Sequence, residues 1–439
     1  MRILITITIS LILCNGTIGF TQVSRDYRDK LEEYFNVNHL NKNFSGSIIL
    51  AHNDSILFSK SYGMANYEWS IPQTLNTKIK IASVTKTFTS AAILILVKQG
   101  KLSLSQTIDL FLPDFPSADK ITITHLLSHS AGIPNPDYSK LNFRHHLTTD
   151  EVFETIKIEP LLFEPGTKDS YSNGGYFLLA YIIEKVSGQK YEEFLKDNIF
   201  VKLGMISTGV YEDEPIIDNL SQLYSIGPNN TIVHTDWYSS EPSMGSGYLY
   251  STANDLYKWC LAVRNKTLFD IYAQRYPFGW GRRKTQQRVS FITQSGYNNR
   301  HQCLLMIFEN GYYFIFNSNI GNTFFNKVYD DVQSILFGGE YKKPQIKNYI
   351  NLTEDVLKKY VGEYQLPNQP KIRIAFDRGS LYSQFDGSSF RNYLVPLNEN
   401  SFEMREELST VTFKSIGKKV MGLTITYGVE LGEIWTKQN

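Results

Sequence analysis

Ser83 and Lys86 stand three residues apart, a spacing that can serve nucleophilic catalysis. Side chains at this spacing lie on one face of a helix, so the lysine amine would lie beside the serine hydroxyl. A lysine in a poorly solvated site has a lowered pKa and can take the hydroxyl proton. A helix start also offers free backbone N–H groups that suit a developing oxyanion. The spacing therefore indicates Ser83 as a nucleophile and Lys86 as its base.

The same pattern also arises when a serine caps a helix and a lysine lies on its surface. After Ser83, apolar residues recur at the spacing of one helical face, and Gly100 is placed to end the helix. Ile93, Leu94 and Val97 fill the other sides, and a helix that is apolar all round is a buried one. A buried helix offers no surface for the lysine, which favours the catalytic interpretation.

A second candidate group is Tyr171-Ser172-Asn173, directly before a helix predicted from about 175 to 186. A tyrosine hydroxyl beside a lysine can relay a proton to a leaving group. An asparagine amide can bond both a substrate carbonyl and the lysine. The alternative is a loop that simply caps the following helix, and these residues alone leave both interpretations open.

Together these residues resemble the serine β-lactamase and penicillin-binding-protein family, and in particular the serine hydrolases related to class C β-lactamases. Four segments of residues 45–335 carry the resemblance in the family's order: 81–88, His-Leu-Leu-Ser-His-Ser-Ala-Gly at 125–132, 163–173 and 245–252. The resemblance implies an α/β sandwich with its site between a helical lobe and an antiparallel sheet. It also implies an acyl-enzyme on Ser83 and an oxyanion hole formed by the N–H groups of Ser83 and Tyr297.

The family's third motif, usually Lys-Thr-Gly or His-x-Gly on a late strand, is matched here by Gln294-Ser295-Gly296. Gly296 fits, because the backbone must approach the substrate closely. Gln294 departs from the pattern, since it offers a neutral donor where a substrate carboxylate would meet a cation. With Asn173 and Tyr297, these residues are the candidate substrate-binding group. We expect an esterase or a D-peptidase rather than an efficient β-lactamase.

The departure at Gln294 also motivates a different class of function, a catalytically weakened, penicillin-binding-like protein that binds its ligand without turnover. The complete set of Ser83, Lys86, Tyr171 and Asn173 favours the enzyme.

His125 and His129 have the spacing of two metal ligands on a helix. A catalytic zinc requires three protein ligands, and no carboxylate or third histidine stands beside these two in a ligand pattern. We expect neither a metal nor a cofactor.

The composition of the chain limits the kinds of molecule that it can bind. The 439 residues carry a formal net charge of +1, with 42% hydrophobic and 20% charged residues. That balance is ordinary for a globular protein and provides no electrostatic footprint for nucleic acid. We expect a small-molecule or peptidic substrate, while the oligomeric state stays open.

Residues 1–21 have the features of a signal peptide: Arg2, an apolar run, and small residues near Gly19 and Thr21. The run is shorter than the roughly 20 residues of a membrane span, and no other stretch qualifies. We therefore expect a periplasmic or secreted protein. A lipid anchor on Cys14 is disfavoured because the preceding Leu13 is large. For Cys260 and Cys303 we favour two buried thiols over a disulfide.

The remaining pattern predicts two domains. Strands predicted at 46–63 and 290–318, with helices between and after them, indicate an α+β domain over 22–340 with an antiparallel sheet flanked by helices. From 353 to 439 the chain consists of short strands and turns, typical of a small antiparallel barrel or sandwich. That C-terminal domain carries no catalytic constellation.

Overall fold

The computed structural model describes residues 16–136, 147–211, 215–234, 243–274, 278–298, 301–322, 324–388, 390–426 and 432–438. Side chains are described from residue 26 onward, Asn298 excepted. Cys14 and most of the predicted signal peptide therefore lie outside the described residues. Within the described ranges, no helix is both long and apolar enough to cross a membrane.

The N-terminal domain is built on the predicted antiparallel sheet. Its strands are β1 Gly46–His52, β2 Ser55–Tyr62, β3 Met64–Asn66, β4 Ile71–Pro72, β5 Ile79–Lys80, β6 Gly209–Val210, β7 Tyr224–Ile226, β8 Ile232–His234, β9 Leu249–Ser251, β10 Gly281–Lys284, β11 Ser290–Asn298, β12 His301–Phe308 and β13 Tyr312–Ser318. Six of them form the main sheet in the order β10-β11-β12-β13-β1-β2, with every pair antiparallel. The early hairpin thus completes a sheet whose other strands come late in the chain.

Helices flank this sheet, as the sequence predicted. They are α1 Gly16–Leu40, α2 Thr85–Lys98, α3 Ile123–Leu127, α4 Thr149–Lys157, α5 Asn173–Ser187, α6 Tyr191–Leu195, α7 Val201–Leu203, α8 Ala253–Arg264 and α9 Phe324–Phe337. A 3₁₀ turn, Ala82–Val84, leads directly into α2. Gly100 follows α2 with a φ of +71°, which its missing side chain permits without strain.

Both faces of the sheet are buried in hydrophobic cores. Neighbouring residues of a strand enter different cores, because alternate side chains point to opposite faces. Ile49 and Leu305 point into a core shared with α2, α5 and α8. Their neighbours Ile48 and Leu304 point into a second core shared with α1 and α9. The helical lobe therefore lies on one face of the sheet, and the N-terminal helix pairs with α9 on the other.

Two cysteines lie within these cores. Cys260 of α8 and Cys303 of β12 are buried free thiols, as the sequence analysis favoured. Burial raises the pKa of both thiols, so they are inert apolar fillers.

The C-terminal part forms a closed antiparallel barrel and not a sandwich. Its elements are α10 Glu354–Lys358, β14 Gly362–Gln365, β15 Ile372–Asp377, β16 Ser380–Phe385, β17 Asn392–Pro396, β18 Ser401–Met404, β19 Ser409–Ile416, β20 Lys419–Thr426 and β21 Ile434–Lys437. Neighbours in sequence pair in order, and β14 closes the ring against β21. The patterning missed β14 and β18. Side chains including Tyr364, Phe413 and Trp435 fill the interior.

The barrel packs against the N-terminal domain. Leu408, just after β18, belongs to the core of α1 and α9. Asn229, in the turn Pro228–Asn230, donates its backbone N–H to Ser380 Oγ at 2.7 Å. The parts of the chain before and after the boundary predicted between residues 340 and 353 are thus in contact.

A buried ion pair lies at this junction. Arg405 and Glu403 are both fully buried, and an Arg405 NH1 hydrogen bond reaches Glu403 Oε2 at 2.6 Å. Arg405 also donates to Tyr349 Oη at 2.7 Å and to the carbonyl of Asn41 at 2.7 Å. Lys347 provides Glu403 with a second cation. The barrel is thereby bonded to the turn that follows α1.

Candidate active site

The candidate nucleophile lies in a strained turn. Ser83 occupies the turn Ala82–Val84, and Ala82 has a φ of +47°, which a residue with a Cβ adopts at a cost. The amide of Val84 bonds the carbonyl of Ile81 at 3.2 Å. This turn places Ser83 at the head of α2, as expected, although the regular helix begins at Thr85.

Strand β11 passes directly over this turn. A Cβ at Gly296 would lie 2.1 Å from the carbonyl oxygen of Ile81 and 3.0 Å from the amide nitrogen of Ser83. No side chain fits at that separation, so glycine is required for the close approach. The structure therefore brings the Gln294-Ser295-Gly296 segment to the nucleophile, with the half-exposed side chain of Tyr297 following it.

Lys86 is fully buried beside Ser83. Its Nζ lies 3.3 Å from Ser83 Oγ, and it donates to Asn173 Oδ1 and to the carbonyl of Ser246, each at 2.8 Å. No carboxylate of the described residues contacts this amine. Because burial without a counter-charge disfavours the ammonium form, the pKa of Lys86 falls well below its ordinary 10.5. The surface-lysine interpretation of the motif is excluded.

The Tyr171-Ser172-Asn173 segment caps a helix and also contacts Ser83 and Lys86. Ser172 Oγ accepts the backbone N–H of Gly175 at 2.9 Å and caps α5. On either side of it, Tyr171 Oη donates to Ser83 Oγ at 2.8 Å, and Asn173 Oδ1 accepts from Lys86. One loop thus both begins a helix and brings two polar groups to the nucleophile.

Gln294 is in the site, but its amide is engaged. Its Nε2 donates to the backbone carbonyl of Ser83 at 3.0 Å. This bond ties the third motif to the nucleophile turn with an uncharged group. At the position where the family's motif usually has a cationic side chain, Gln294 is neutral and bonds the backbone.

The comparisons agree with this geometry. A family model described as Beta-lactamase matches residues 36–336. The chain belongs to the beta-lactamase family. Penicillin-binding protein 4* of Bacillus subtilis (strain 168) is 25% identical over 427 residues, covering 87% of this chain and 93% of that protein. The predicted resemblance and fold class are therefore confirmed.

A further relative and a solved structure extend the comparison. Teichoic acid D-alanine hydrolase of Staphylococcus aureus is 26% identical over 237 residues, which cover 52% of this chain and 56% of that protein. D-amino acid amidase from Ochrobactrum anthropi SV3 has the same fold, with a TM-score of 0.62 and 21% identity over 72% of this chain and 99% of that one. The family is one of serine hydrolases, and it spans the N-terminal domain.

Within this beta-lactamase-family site, the sequence did not indicate the contacts that three groups make. The Ser246 carbonyl bonds Lys86, yet a backbone acceptor carries no residue signature. Asn135 Oδ1 accepts the backbone N–H of Asn173 at 2.7 Å, and no motif pointed to it. His129 packs its ring against that of Tyr171, with centroids 4.7 Å apart. It was noted for its spacing to His125 and for the family stretch that contains it.

The two histidines serve separate purposes. His125 Nδ1 accepts the backbone N–H of Thr122 at 3.3 Å and completes a capping box at the start of α3. His129 instead faces the nucleophile loop. Among the described residues, no group of three or more His, Cys, Asp and Glu side chains is arranged to hold a metal ion.

Proposed function

We propose that this protein is an exported serine hydrolase that forms an acyl-enzyme on Ser83, with Lys86 and Tyr171 as general base and acid. It would act on an ester, an amide or a D-amino-acid peptide. The observation that carries the proposal is that Ser83 Oγ is bonded by both Lys86 Nζ and Tyr171 Oη. Among the described residues the buried amine contacts only uncharged groups, and its lowered pKa suits it to take up and release a proton.

In the acylation step, neutral Lys86 takes the proton of Ser83 as Oγ attacks the substrate carbonyl carbon. The resulting oxyanion is bound by the backbone N–H groups of Ser83 and Tyr297, which the close passage of Gly296 brings beside the turn. As the tetrahedral intermediate collapses, the bond to the leaving group breaks and Tyr171 donates its proton to that group. Lys86 returns a proton to Tyr171, and water then hydrolyses the ester on Ser83 with the same groups in reverse.

Two tyrosine rings near Lys86 can stabilise the ammonium that forms when the amine takes the serine proton. Lys86 Nζ lies 4.8 Å from the centroid of the Tyr171 ring and 5.5 Å from that of Tyr176. Aromatic faces attract a cation without fixing it as a carboxylate would. The amine can therefore accept the Ser83 proton and still pass it on.

The substrate class follows from Gln294. A penicillin or a peptide ending in a free carboxylate would meet a neutral amide that already bonds the Ser83 carbonyl. An ester or amide of D-alanine has no free carboxylate and needs no cation there. The similarity to a teichoic acid D-alanine hydrolase supports including D-alanine derivatives among the substrates.

The test is the intact mass of the protein after incubation with a fluorophosphonate, a penicillin, a nitrophenyl acetate and a D-alanine ester. We expect the wild type to carry one phosphonyl adduct and to turn over the two esters. Ser83→Ala should carry no adduct and show no turnover while remaining folded. The matched control is Ser128→Ala, whose hydroxyl bonds the Thr124 carbonyl and the Ser130 hydroxyl and not Ser83. Wild-type turnover in Ser83→Ala would remove Ser83 from this role.

The same experiment separates the alternative function. A protein that binds and acylates without turnover would accumulate a stable adduct with the penicillin or ester and release no further product. Export is tested separately by the mass of the protein recovered from outside the cytoplasm. Loss of about 21 N-terminal residues is expected from the pattern of residues 1–21.

A further inference from the structure

His129 belongs to none of the proposed catalytic groups, yet it contacts the loop that carries Tyr171 at two points. Its backbone carbonyl accepts the N–H of Ser170 at 2.9 Å. Its ring Nδ1 accepts the N–H of Ser172 at 3.1 Å. The residue between these two donors is Tyr171. One histidine therefore holds the backbone immediately before and immediately after the tyrosine that bonds Ser83.

The position of Tyr171 depends on the groups that contact it, because the residue is only half buried. Its side chain is 50% exposed, whereas Lys86 is fully buried. A half-exposed side chain that must keep its hydroxyl 2.8 Å from Ser83 Oγ depends on neighbouring groups to restrict its rotamers. The His129 ring contributes directly, since it packs between the rings of Tyr171 and Tyr176, at centroid distances of 4.7 and 5.0 Å.

The chemistry of the ring matches this task. Nδ1 can accept the Ser172 N–H only while it carries no proton. Burial, and the nearby amine of Lys86, lower the pKa of His129 to about 4, so the ring is neutral wherever the proposed chemistry would operate. A neutral ring also adds no positive charge beside Lys86 when that amine takes the serine proton.

The backbone at this position limits which residues can replace histidine. His129 has a φ of +59°, in the left-handed region. Asparagine and glycine adopt that conformation with little strain. Asparagine also places an amide oxygen at the same number of bonds from Cβ as Nδ1, whereas glycine provides no acceptor. Both substitutions retain the carbonyl that bonds Ser170.

We propose that His129 is a positioning residue that holds the Ser170–Tyr171–Ser172 backbone so that the Tyr171 hydroxyl stays on Ser83 Oγ. It acts through Tyr171 and touches no reacting atom. This inference rests on the proposed function, in which Tyr171 is the acid of the acylation step.

The test compares His129→Asn with His129→Gly, each in the wild-type and Tyr171→Phe backgrounds. The readouts are the second-order rate of fluorophosphonate labelling and kcat/KM for nitrophenyl acetate. His129→Asn retains the bond to Ser172 and should stay within about tenfold of wild type. His129→Gly releases the loop and should lose roughly 10²-fold, the cost of a misplaced catalytic group. In the Tyr171→Phe background the two variants should give the same rates, because nothing is left to position.

Equal rates for His129→Asn and His129→Gly in the wild-type background would overturn the proposal. So would a difference of the same size in both backgrounds, which would indicate a general structural role. Thermal unfolding of each variant identifies loss of folded protein, and rates are then taken per folded molecule. Failure of the proposed function is distinct, since it would appear as absent labelling of wild type or as labelling that persists in Ser83→Ala.

Discussion

Lys86 and Arg405 are both completely buried, and their surroundings are opposite. The amine of Lys86 meets a hydroxyl, an amide oxygen and a carbonyl. The guanidinium of Arg405 meets the equally buried carboxylate of Glu403, along with Tyr349 and backbone carbonyls. One site buries a base without a counter-charge, and the other buries a matched ion pair.

The difference separates a reactive group from a structural one. An amine buried among neutral acceptors changes its pKa, because losing the proton removes the desolvation cost of the charge. A guanidinium keeps its proton under all conditions in a protein, so its burial demands an anion and good geometry. The candidate active site thus holds an amine whose pKa is lowered, so that it can act as a base. The junction between the barrel and the N-terminal domain instead pairs its buried cation with a buried carboxylate, although Arg405 Nε has no hydrogen-bond partner among the described residues.

The largest expected effect is on activity, from Lys86→Met. Removing the base should lower kcat/KM for nitrophenyl acetate by roughly 10²–10⁴-fold, the contribution of a positioned proton-transfer group. Lys98→Met, on the exposed end of the same helix, is the matched control and should retain wild-type rates. A loss of less than about threefold in Lys86→Met would assign the base to another residue.

The next effect is on stability, from Arg405→Met. Removing one partner leaves Glu403 buried with its charge undercompensated, so the free energy of unfolding should fall by about 3–5 kcal/mol in urea titration. Arg373→Met, on an exposed position of barrel strand β15, should change it by less than about 0.5 kcal/mol.

The activity of Arg405→Met sharpens the comparison further. Per folded molecule, its kcat/KM should equal that of wild type, because the partners of Arg405 are Tyr349, Glu403 and the carbonyls after α1 rather than groups of the candidate site. A loss of activity without loss of folded protein would mean that the junction also shapes the site. Replacing both partners, with Glu403→Leu and Arg405→Met together, should recover much of the lost stability.

The two sites should respond to pH in different windows. Burial raises the pKa of Glu403, but Arg405 and Lys347 outweigh it, so the folded value lies below the ordinary 4.5. Its stabilisation is therefore present above pH 4.5 and is lost as pH falls through the folded value. Lys86 is lowered instead, so its burial penalty is largest below its folded pKa and disappears by pH 10.5.

In both windows the unfolded chain binds more protons, so the free energy of unfolding rises with pH, by at most about 1.4 kcal/mol per pH unit per group. The measurement is urea unfolding across pH for wild type, Glu403→Gln and Lys86→Met. The difference between wild type and Glu403→Gln should change as pH falls below 4.5, and that between wild type and Lys86→Met should change between the folded pKa of Lys86 and pH 10.5. A difference for Lys86→Met that does not vary with pH would show that the amine keeps its proton on folding.

The smallest expected effect concerns Gln294. A cation in its place should favour carboxylate-bearing substrates by about tenfold, the difference between a charged and a neutral hydrogen bond. We expect Gln294→His and Gln294→Lys to raise kcat/KM for a cephalosporin relative to a neutral ester. Gln294→Met, of similar size and without charge, is the control for the lost bond to Ser83. Efficient cephalosporin hydrolysis by wild type, unchanged in all three variants, would place the substrate carboxylate elsewhere.

Several parts of the site were predictable from local sequence. The three-residue spacing of Ser83 and Lys86 and the apolar helix that follows them are properties of short segments. The same holds for Gly296, whose residue type already indicates a close backbone approach. The family resemblance supplied the order of the segments and with it the fold.

Contacts between distant segments could not be read this way. The partners of Lys86 lie 87 and 160 residues away in the chain, and one of them is a backbone carbonyl with no sequence signature. Three other contacts also join segments that are distant in the chain. They are the bond from Gln294 to the Ser83 carbonyl, the two hydrogen bonds of His129 with the Tyr171 loop, and the bond from Arg405 of the barrel to the turn after α1. Periodicity and residue type determined which groups could react, because these depend on neighbours in sequence. Tertiary packing alone decided which groups are buried from water, paired with an opposite charge or held by hydrogen bonds, because desolvation and hydrogen bonding depend on neighbours in space.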